Sequence, residues 1–393
     1  MNNLNAELSH RLAALQQQGL RRQLRRVDSA QSTRIRVGGR PLLNFSSNDY
    51  LGLANEPVLK DAAAKAAQDY GAGAGASRLI CGSLAPHHDL DEALAAFKGA
   101  EAALTFSTGY AAAVGTICAL VGKGDVIILD KLVHACIVDA ARLCGATLRV
   151  FNHNDLEDLQ GKLEWARQKS AGSEGNVLVV TESVFSMDGD HAPLREMVAL
   201  KEQHGAWLMV DEAHATGLYG PHRRGLSEEL GLSDRVEVQM GTLGKALGAS
   251  GGYICGSRIL VDFLINRARS FIFSTAPVPA AAAAAAAAIR LVQSTEGAAR
   301  CHALWERVAE VGAALPPRPL PVQSAIIPLM IGDEAKAVAV AAALLDQGIY
   351  IPAIRYPTVA RGQARLRLTL TAAHTSADVA ELATALKSLN FSA

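Results

Sequence analysis

Residues 207–217 read WLMVDEAHATG. Four largely apolar residues without alternation, closed by an acid, make the pattern of a short strand covered on both faces, as in a parallel sheet flanked by helices. Val177–Thr181 reads the same way and ends on Glu182. Working outward, further short runs stand at Ala103–Phe106, Val126–Leu129, Thr147–Phe151, Val236–Met240 and Gly252–Cys255, with helical stretches between most of them. That alternation predicts an α/β fold, a three-layer α/β/α large domain with a mainly parallel sheet, over residues 51–290. Residues 1–50 precede it as a helix and a β-hairpin. Leu4, Leu8, Leu12 and Leu15 fall on one helical stripe within residues 1–26, with Arg21, Arg22, Arg25 and Arg26 at its end, where basic residues suit a helix C-terminus. Thr33–Val37 and Pro41–Phe45 flank the turn Gly38-Gly39. Residues 291–393 form a smaller α+β C-terminal domain, with strands near Ala325–Met330 and over Arg365–Thr371.

The composition removes several classes of function. Lys+Arg and Asp+Glu both number 38, and aromatics make up 5% of the chain, which argues against a nucleic-acid binder with its basic surplus and stacking rings. Half the residues are hydrophobic, enough to bury a core. The six cysteines, Cys81, Cys118, Cys136, Cys144, Cys255 and Cys301, form no C-x-x-C pair and read as free thiols of a reducing, cytoplasmic compartment. Two uncharged stretches, Leu104–Gly122 and Ser270–Ile289, fail as membrane spans. The first holds glycines and hydroxyls, and the second is built on Ala280–Ala288, whose transfer energy is small. The alanine run after Pro277 and Pro279 reads as a packed helix. No basic-then-apolar leader is read at the N-terminus.

In open α/β sheets ligands bind beyond the carboxyl ends of the strands. The reactive groups that follow the predicted strands are Asp130 and His134, Glu182, Ser183 and Ser186, Asp211 and His214, and Thr242 and Lys245. Other motifs fail on context. DEAH at 211–214 lacks a partner P-loop, because Gly244-Lys245 is followed by Ala246. GAGAGA at 71–76 follows a helical stretch, Leu59–Tyr70, rather than a strand. Asp211, His214 and His222 are conceivable zinc ligands, but His222 reads as an ordinary surface histidine, and no metal is expected. What remains is Lys245 between Gly244 and Gly248, downstream of Asp211. A lysine can form a Schiff base with a carbonyl cofactor, and an acid on a pyridinium nitrogen keeps the ring an electron sink.

Eight segments carry a resemblance over nearly the whole chain: NFSSNDYLGL (44–53), FSTGY (106–110), LDKLVHA (129–135), ESVFSMDGD (182–190), VDEAHATG (210–217), GTLGKALG (241–248), FSTAP (273–277) and RLRLTLTAAH (365–374). The sequence resembles the α-oxoamine synthase family, pyridoxal-phosphate enzymes of the aspartate-aminotransferase fold type (fold type I). The resemblance implies that Lys245 holds the cofactor and then serves as acid and base at the substrate α-carbon. It implies that Asp211 pairs with the pyridinium nitrogen, His134 stacks over the ring, and His214 and Ser186 address the ring hydroxyl. Thr108, Gly109 and Tyr110 resemble the family's phosphate loop, where backbone N–H groups at a helix start suit a dianion. Thr242 adds a phosphate or ring contact. Ser274 and Thr275 resemble the pair that reaches the neighbouring subunit's phosphate, which implies a homodimer. Arg367 would clamp the amino-acid carboxylate. Asn48, Arg21 and Thr358 match positions that contact substrate in relatives.

Within the family, NFSSNDYLGL and IRYPTV…RLRLTLTAAH resemble most the member of biotin biosynthesis that joins L-alanine to a pimeloyl thioester. Sister synthases using other substrates, and a non-catalytic dimeric scaffold, are the alternatives. The acyl donor is a CoA ester or an acyl carrier protein, which the basic residues near Arg22 could meet. Several of these residues also have purely structural readings. His134 could be a satisfied core histidine and Ser186 a turn residue. One of Arg365 and Arg367, on the same strand, is expected to face solvent.

Overall fold

The computed structural model describes residues 3–170, 175–315 and 321–389. Strands β1 (Arg34–Val37) and β2 (Arg40–Asn44) form the hairpin. They are followed by β3 (Ala102–Phe106), β4 (Val126–Asp130), β5 (Thr147–Phe151), β6 (Val177–Glu182), β7 (Trp207–Asp211), β8 (Val238–Thr242) and β9 (Gly252–Gly256). The last four are β10 (Ile326–Gly332), β11 (Ile349–Tyr350), β12 (Ala353–Ile354) and β13 (Ala364–Thr369).

Two units divide these elements. One comprises Asp49–Ser186 and Asp190–His302, and it holds the seven strands β3 to β9 in a single sheet. The spatial order is β3-β9-β8-β7-β6-β4-β5, parallel apart from β9, which runs against both of its neighbours. Every residue of β3 and β4 is buried, as the unalternating sequence predicts. Ile127, Leu129, Leu178, Val180, Met209 and Ile254 meet Ala112, Ala113, Ile117, Ile137 and Ala140 of two covering helices in one core. Each of the larger side chains among them, Ile, Leu, Val or Met, contributes roughly 1.5–3 kcal/mol when fully buried. The alanine run lies in the helix Pro279–Gln293, which begins on proline and buries Ala282 and Ala284–Ala288 against the helices Pro57–Tyr70 and Ala85–Lys98. Small side chains let those backbones approach closely. Among the described residues no helix is long and apolar enough to cross a membrane.

The other unit comprises the described parts of Met1–Asn48, Met187–Gly189 and Ala303–Ala393. It carries two three-stranded sheets, β1-β2-β11 and β10-β13-β12. Its first helix, Leu4–Gln17, buries none of its residues, and Leu4, Leu8, Leu12 and Leu15 are all exposed.

Two expectations need correction. The arginines do not finish the first helix. It stops at Gln17, Gly19 takes a left-handed φ of 68°, and Arg21 to Arg26 follow outside any helix. The strand expected at Val236–Met240 begins two residues later, at Val238. Glu237 there uses its carboxylate to accept the Leu208 N–H at 2.8 Å, and the ladder to β7 starts at Val238 opposite Met209. Asp211 and Thr242 also close their strands rather than follow them.

Candidate active site

At the carboxyl ends of β4, β6, β7 and β8 stand Asp130, Glu182, Asp211 and Thr242. Glu182 and Asp211 are direct partners in the β6–β7 register, and both are buried. Asp211 Oδ1 accepts the Ala213 N–H at 2.9 Å. Burial pushes the Asp211 carboxyl above the ordinary carboxylate range, while Lys245, that N–H and His134 pull it back.

Lys245 lies in the loop between β8 and β9. Its Nζ is 2.7 Å from Nε2 of His214, whose Nδ1 is 2.6 Å from the hydroxyl of Tyr50. His214 and Tyr50 are both buried. His134 caps the helix Ala135–Leu143, and its Nδ1 accepts the Cys136 N–H at 3.2 Å. Partial desolvation lowers the pKa of His134, with Lys245 adding to that and Asp211 opposing it. A ring kept neutral is suited to stacking on a flat cofactor.

Thr108 caps the helix Gly109–Leu120, its Oγ1 accepting the Ala111 N–H at 3.0 Å. The first N–H groups of that helix have no carbonyl partner within it, so they form a site for an anion. Thr242 lies beside this helix start. Its Oγ1 donates to the Gly251 carbonyl at 2.9 Å, and a Cβ added at Gly109 would come within 3.8 Å of Thr242 Cβ. Tyr110 points elsewhere: it is exposed, with its hydroxyl 2.9 Å from Asp139. The Ser186 N–H donates to Glu182 Oε2 at 3.2 Å. Ser274 and Thr275 lie outside the Lys245–His214–Tyr50 network, on the segment before the alanine-rich helix; Ser274 Oγ donates to the Thr275 carbonyl.

Asp130 has a supporting role. Its Oδ1 is 3.0 Å from His153 Nδ1, and His153 Nε2 is 2.8 Å from Asp190. Burial disfavours the charged imidazole, but hydrogen bonds to Asp130 and Asp190 outweigh it and raise the His153 pKa to about 10. A cation thus ties the end of β4 to the chain beyond Ser186.

The substrate residues inferred by resemblance fall in the other unit. Arg367 Nη1 donates to Asn48 Oδ1 at 2.9 Å, so these two are joined. The expectation that Arg365 or Arg367 faces solvent is wrong. Positions two apart on a strand share a face, and both side chains are buried. Arg365 is taken up by Asp188, at 2.5 Å, and by the Met187 carbonyl. Arg21 and Thr358 line one groove of about 890 Å³ together with Arg22, Arg25, Tyr350 and Arg355. It is Arg22, not Arg21, whose guanidinium donates to Thr358 Oγ1, at 2.9 Å.

Sequence reasoning left Tyr50 out of the site, gave Glu182 no role beyond its strand end, and chose Arg21 rather than Arg22 as the substrate residue. Tyr50 sits inside NFSSNDYLGL, shortly beyond β2 and outside the large sheet, and no local pattern ties it to His214. Glu182 had a signal, since it closes a strand as Asp211 does.

The donor set fits pyridoxal phosphate. A primary amine can hold its aldehyde, a buried carboxylate can hold its ring nitrogen, and a helix start can hold its phosphate dianion. The Oε1 atom of Glu182 is buried without a hydrogen-bond partner, as befits a site built around a further group.

Comparison with known proteins agrees with this chemistry. A family model described as aminotransferase class I and II matches residues 40–386. The chain is 50% identical over 370 residues to the 8-amino-7-oxononanoate synthase of Anaeromyxobacter dehalogenans, covering 94% of this chain and 91% of that one. It is 46% identical over 386 residues to the 8-amino-7-oxononanoate synthase of Herminiimonas arsenicoxydans, covering 97% and 98%. Among solved structures it is similar to the serine palmitoyltransferase of S. paucimobilis with a bound PLP–myriocin aldimine, at a TM-score of 0.91 and 30% identity, covering 99% of this chain and 100% of that one.

Proposed function

This chain belongs to the aminotransferase class I and II family, and on that premise we propose that it catalyses the 8-amino-7-oxononanoate synthase reaction of biotin biosynthesis. L-Alanine and a pimeloyl thioester condense, and carbon dioxide and the free thiol leave. The observation that carries the reading is the amine of Lys245 held 2.7 Å from His214, at the sheet edge where Asp211 is buried. Pyridoxal phosphate is the cofactor, and when bound it supplies an aldehyde for the substrate amine and an electron-withdrawing pyridinium.

The surroundings of the residues support the roles that the resemblance implies. Lys245 takes the proton from the alanine α-carbon and later returns one there; such acid–base help contributes on the order of 10²–10⁴-fold. Asp211, a carboxylate kept from water, holds the proton on the ring nitrogen. His214, oriented by Tyr50, and Ser186 address the ring hydroxyl side, while His134 covers the ring face. Thr108, Thr242 and the backbone N–H groups of Gly109 and Tyr110 serve the phosphate. Arg367, with Asn48 bracing its guanidinium, binds the alanine carboxylate. The groove holding Arg21, Arg22 and Thr358 takes the acyl substrate, whose distal carboxylate suits arginine.

The working form is a homodimer in the cytoplasm. The exposed row Leu4, Leu8, Leu12 and Leu15 on a helix that buries nothing supports a face covered by a second copy. Ser274 and Thr275, placed outside their own chain's network, suit a role across that interface. Six free cysteines suit a reducing compartment. The acyl group can arrive on CoA or on a carrier protein, and exposed Arg21, Arg22, Arg25 and Arg26 favour an anionic carrier.

The test is thiol and carbon dioxide release from alanine with pimeloyl-CoA. The proposal expects both in equal amounts, with kcat/KM above that for glycine or serine. Amino-group transfer without thiol release would sink it. The same assay with a pimeloyl carrier-protein ester separates the two donors.

A further inference from the structure

We propose that Glu182 is a positioning residue of the cofactor site, a carboxylic acid that keeps its proton and leaves Asp211 as the sole carboxylate charge at this pair of strand ends. The geometry begins with register. Glu182 and Asp211 are direct neighbours on adjacent parallel strands, only 2% and 5% exposed. Two anions side by side without solvent repel one another, and neither recovers its lost hydration.

The surroundings decide which acid holds the proton. Asp211 faces Lys245 from the β8–β9 loop and His134 from the start of the helix Ala135–Leu143, and it accepts the Ala213 N–H. Each of those favours its anion, against burial and the neighbouring Glu212 carboxylate. Glu182 is flanked by Lys245 and by the backbone N–H groups of Ser186 and His134, which favour its anion, but burial and Asp211 from β7 outweigh them; the thiol of Cys136 also faces it. The strongest charge acting on Glu182 is Asp211 itself, which disfavours a second anion. Its two oxygens also differ. Oε2 accepts the Ser186 N–H at 3.2 Å, whereas Oε1 is buried with no hydrogen-bond partner. An anionic oxygen left bare there is more costly than a protonated one.

The acid therefore does two jobs. Through Oε2 it holds the backbone at Ser186, with the start of the His134 helix beside it, against the end of β6. By staying neutral it leaves the charge balance at the ring nitrogen to Asp211. The inference rests on the cofactor and not on the acyl substrate, so it stands or falls separately from the proposed reaction.

Infrared spectroscopy of the wild-type protein with isotopically labelled glutamate, cofactor-free and cofactor-loaded, reads the proton directly. A buried carboxylic-acid C=O band is expected at neutral pH and is lost in Glu182→Gln. Absence of that band in the wild type, or its persistence in the variant, overturns the proposal. A pH titration of the cofactor's visible absorbance supplies the second readout. Glu182→Gln replaces a neutral acid by a neutral amide, so the midpoint stays within about twofold in equilibrium constant, whereas loss of a real charge would move it about tenfold, one pH unit, or more. Glu182→Ala, which also loses the Ser186 contact, weakens cofactor binding, and Glu182→Gln restores most of it. Equal weakening in both variants contradicts the positioning role. The wild-type infrared band is readable even where a variant fails to fold.

Discussion

The amine of Lys245 lies 2.7 Å from Nε2 of His214. Because Nδ1 of the same ring is 2.6 Å from the Tyr50 hydroxyl, neither imidazole nitrogen is free to turn away. Tyr50→Phe removes one hydrogen bond, worth a net ~0.5–1.5 kcal/mol. The expected result is a two- to tenfold fall in kcat/KM, in roughly the range that energy implies, with cofactor content unchanged. Full activity would mean that His214 is oriented by something else.

Lys245→Ala should give a protein without the visible cofactor band and without a borohydride-trapped adduct. Its kcat should fall by at least about 10²–10⁴-fold, the range of a lost acid–base group. Recovery of an adduct on another lysine, by peptide mapping, would reassign the reactive amine.

Arg365 and Arg367 separate fold from function. Arg367→Ala should raise the KM for alanine by more than tenfold, since a charged hydrogen bond is worth about 1.5–3 kcal/mol. Arg365→Ala breaks the contact with Asp188 and should appear in thermal melting, with the alanine KM near that of the wild type. A reversed pattern would put the substrate carboxylate on Arg365.

His153 provides a pH signature. Its folded pKa is raised from the ordinary 6.5 to about 10, as its bonds to Asp130 and Asp190 outweigh burial. A raised folded pKa contributes stability that is full below the unfolded value and is lost as pH climbs through the folded one. The wild-type melting temperature should therefore decline between about pH 6.5 and 10 relative to His153→Gln, which carries no such proton. Parallel curves for the two proteins would contradict the assignment.

Gly252 in β9 has no room for a side chain. A Cβ there would lie 2.6 Å from N and Cα of Gly109 and from the Thr108 carbonyl. Those are backbone atoms of the helix start proposed to hold the phosphate, and forcing a methyl group among them costs about 1–3 kcal/mol. Gly252→Ala should weaken cofactor binding, measured by dialysis, more than it lowers the melting temperature of the cofactor-free protein.

The sheet was legible because its strands are buried on both faces, and such strands are written as unbroken apolar runs: Val177–Val180 and Leu208–Val210 could hardly be read otherwise. The site residues closing those strands were legible for the same reason. Tyr50 was not, because its contact with His214 joins positions 164 apart, and no local period records such a pairing. The arginines after Gln17 were misassigned because a favourable helix-end charge pattern ignored Gly19, whose left-handed φ ends the helix first. Arg22 and Arg21 are neighbours in sequence, so only the direction of each side chain could tell which meets Thr358.

The reversed direction of β9 has a consequence for turnover. In most of this sheet a strand end leads away into a crossover, but the loop after β8 returns at once, with Thr242 paired opposite Gly252. Its base and middle are stitched by Leu243 N–H to the Gly251 carbonyl, Ala249 N–H to the Leu243 carbonyl and Gly248 N–H to the Lys245 carbonyl. Lys245 is therefore a short arm on a closed loop. In the proposed reaction that tether would hold its amine close to the substrate α-carbon, and well-oriented groups of this kind reach effective molarities of about 10⁵ M and above.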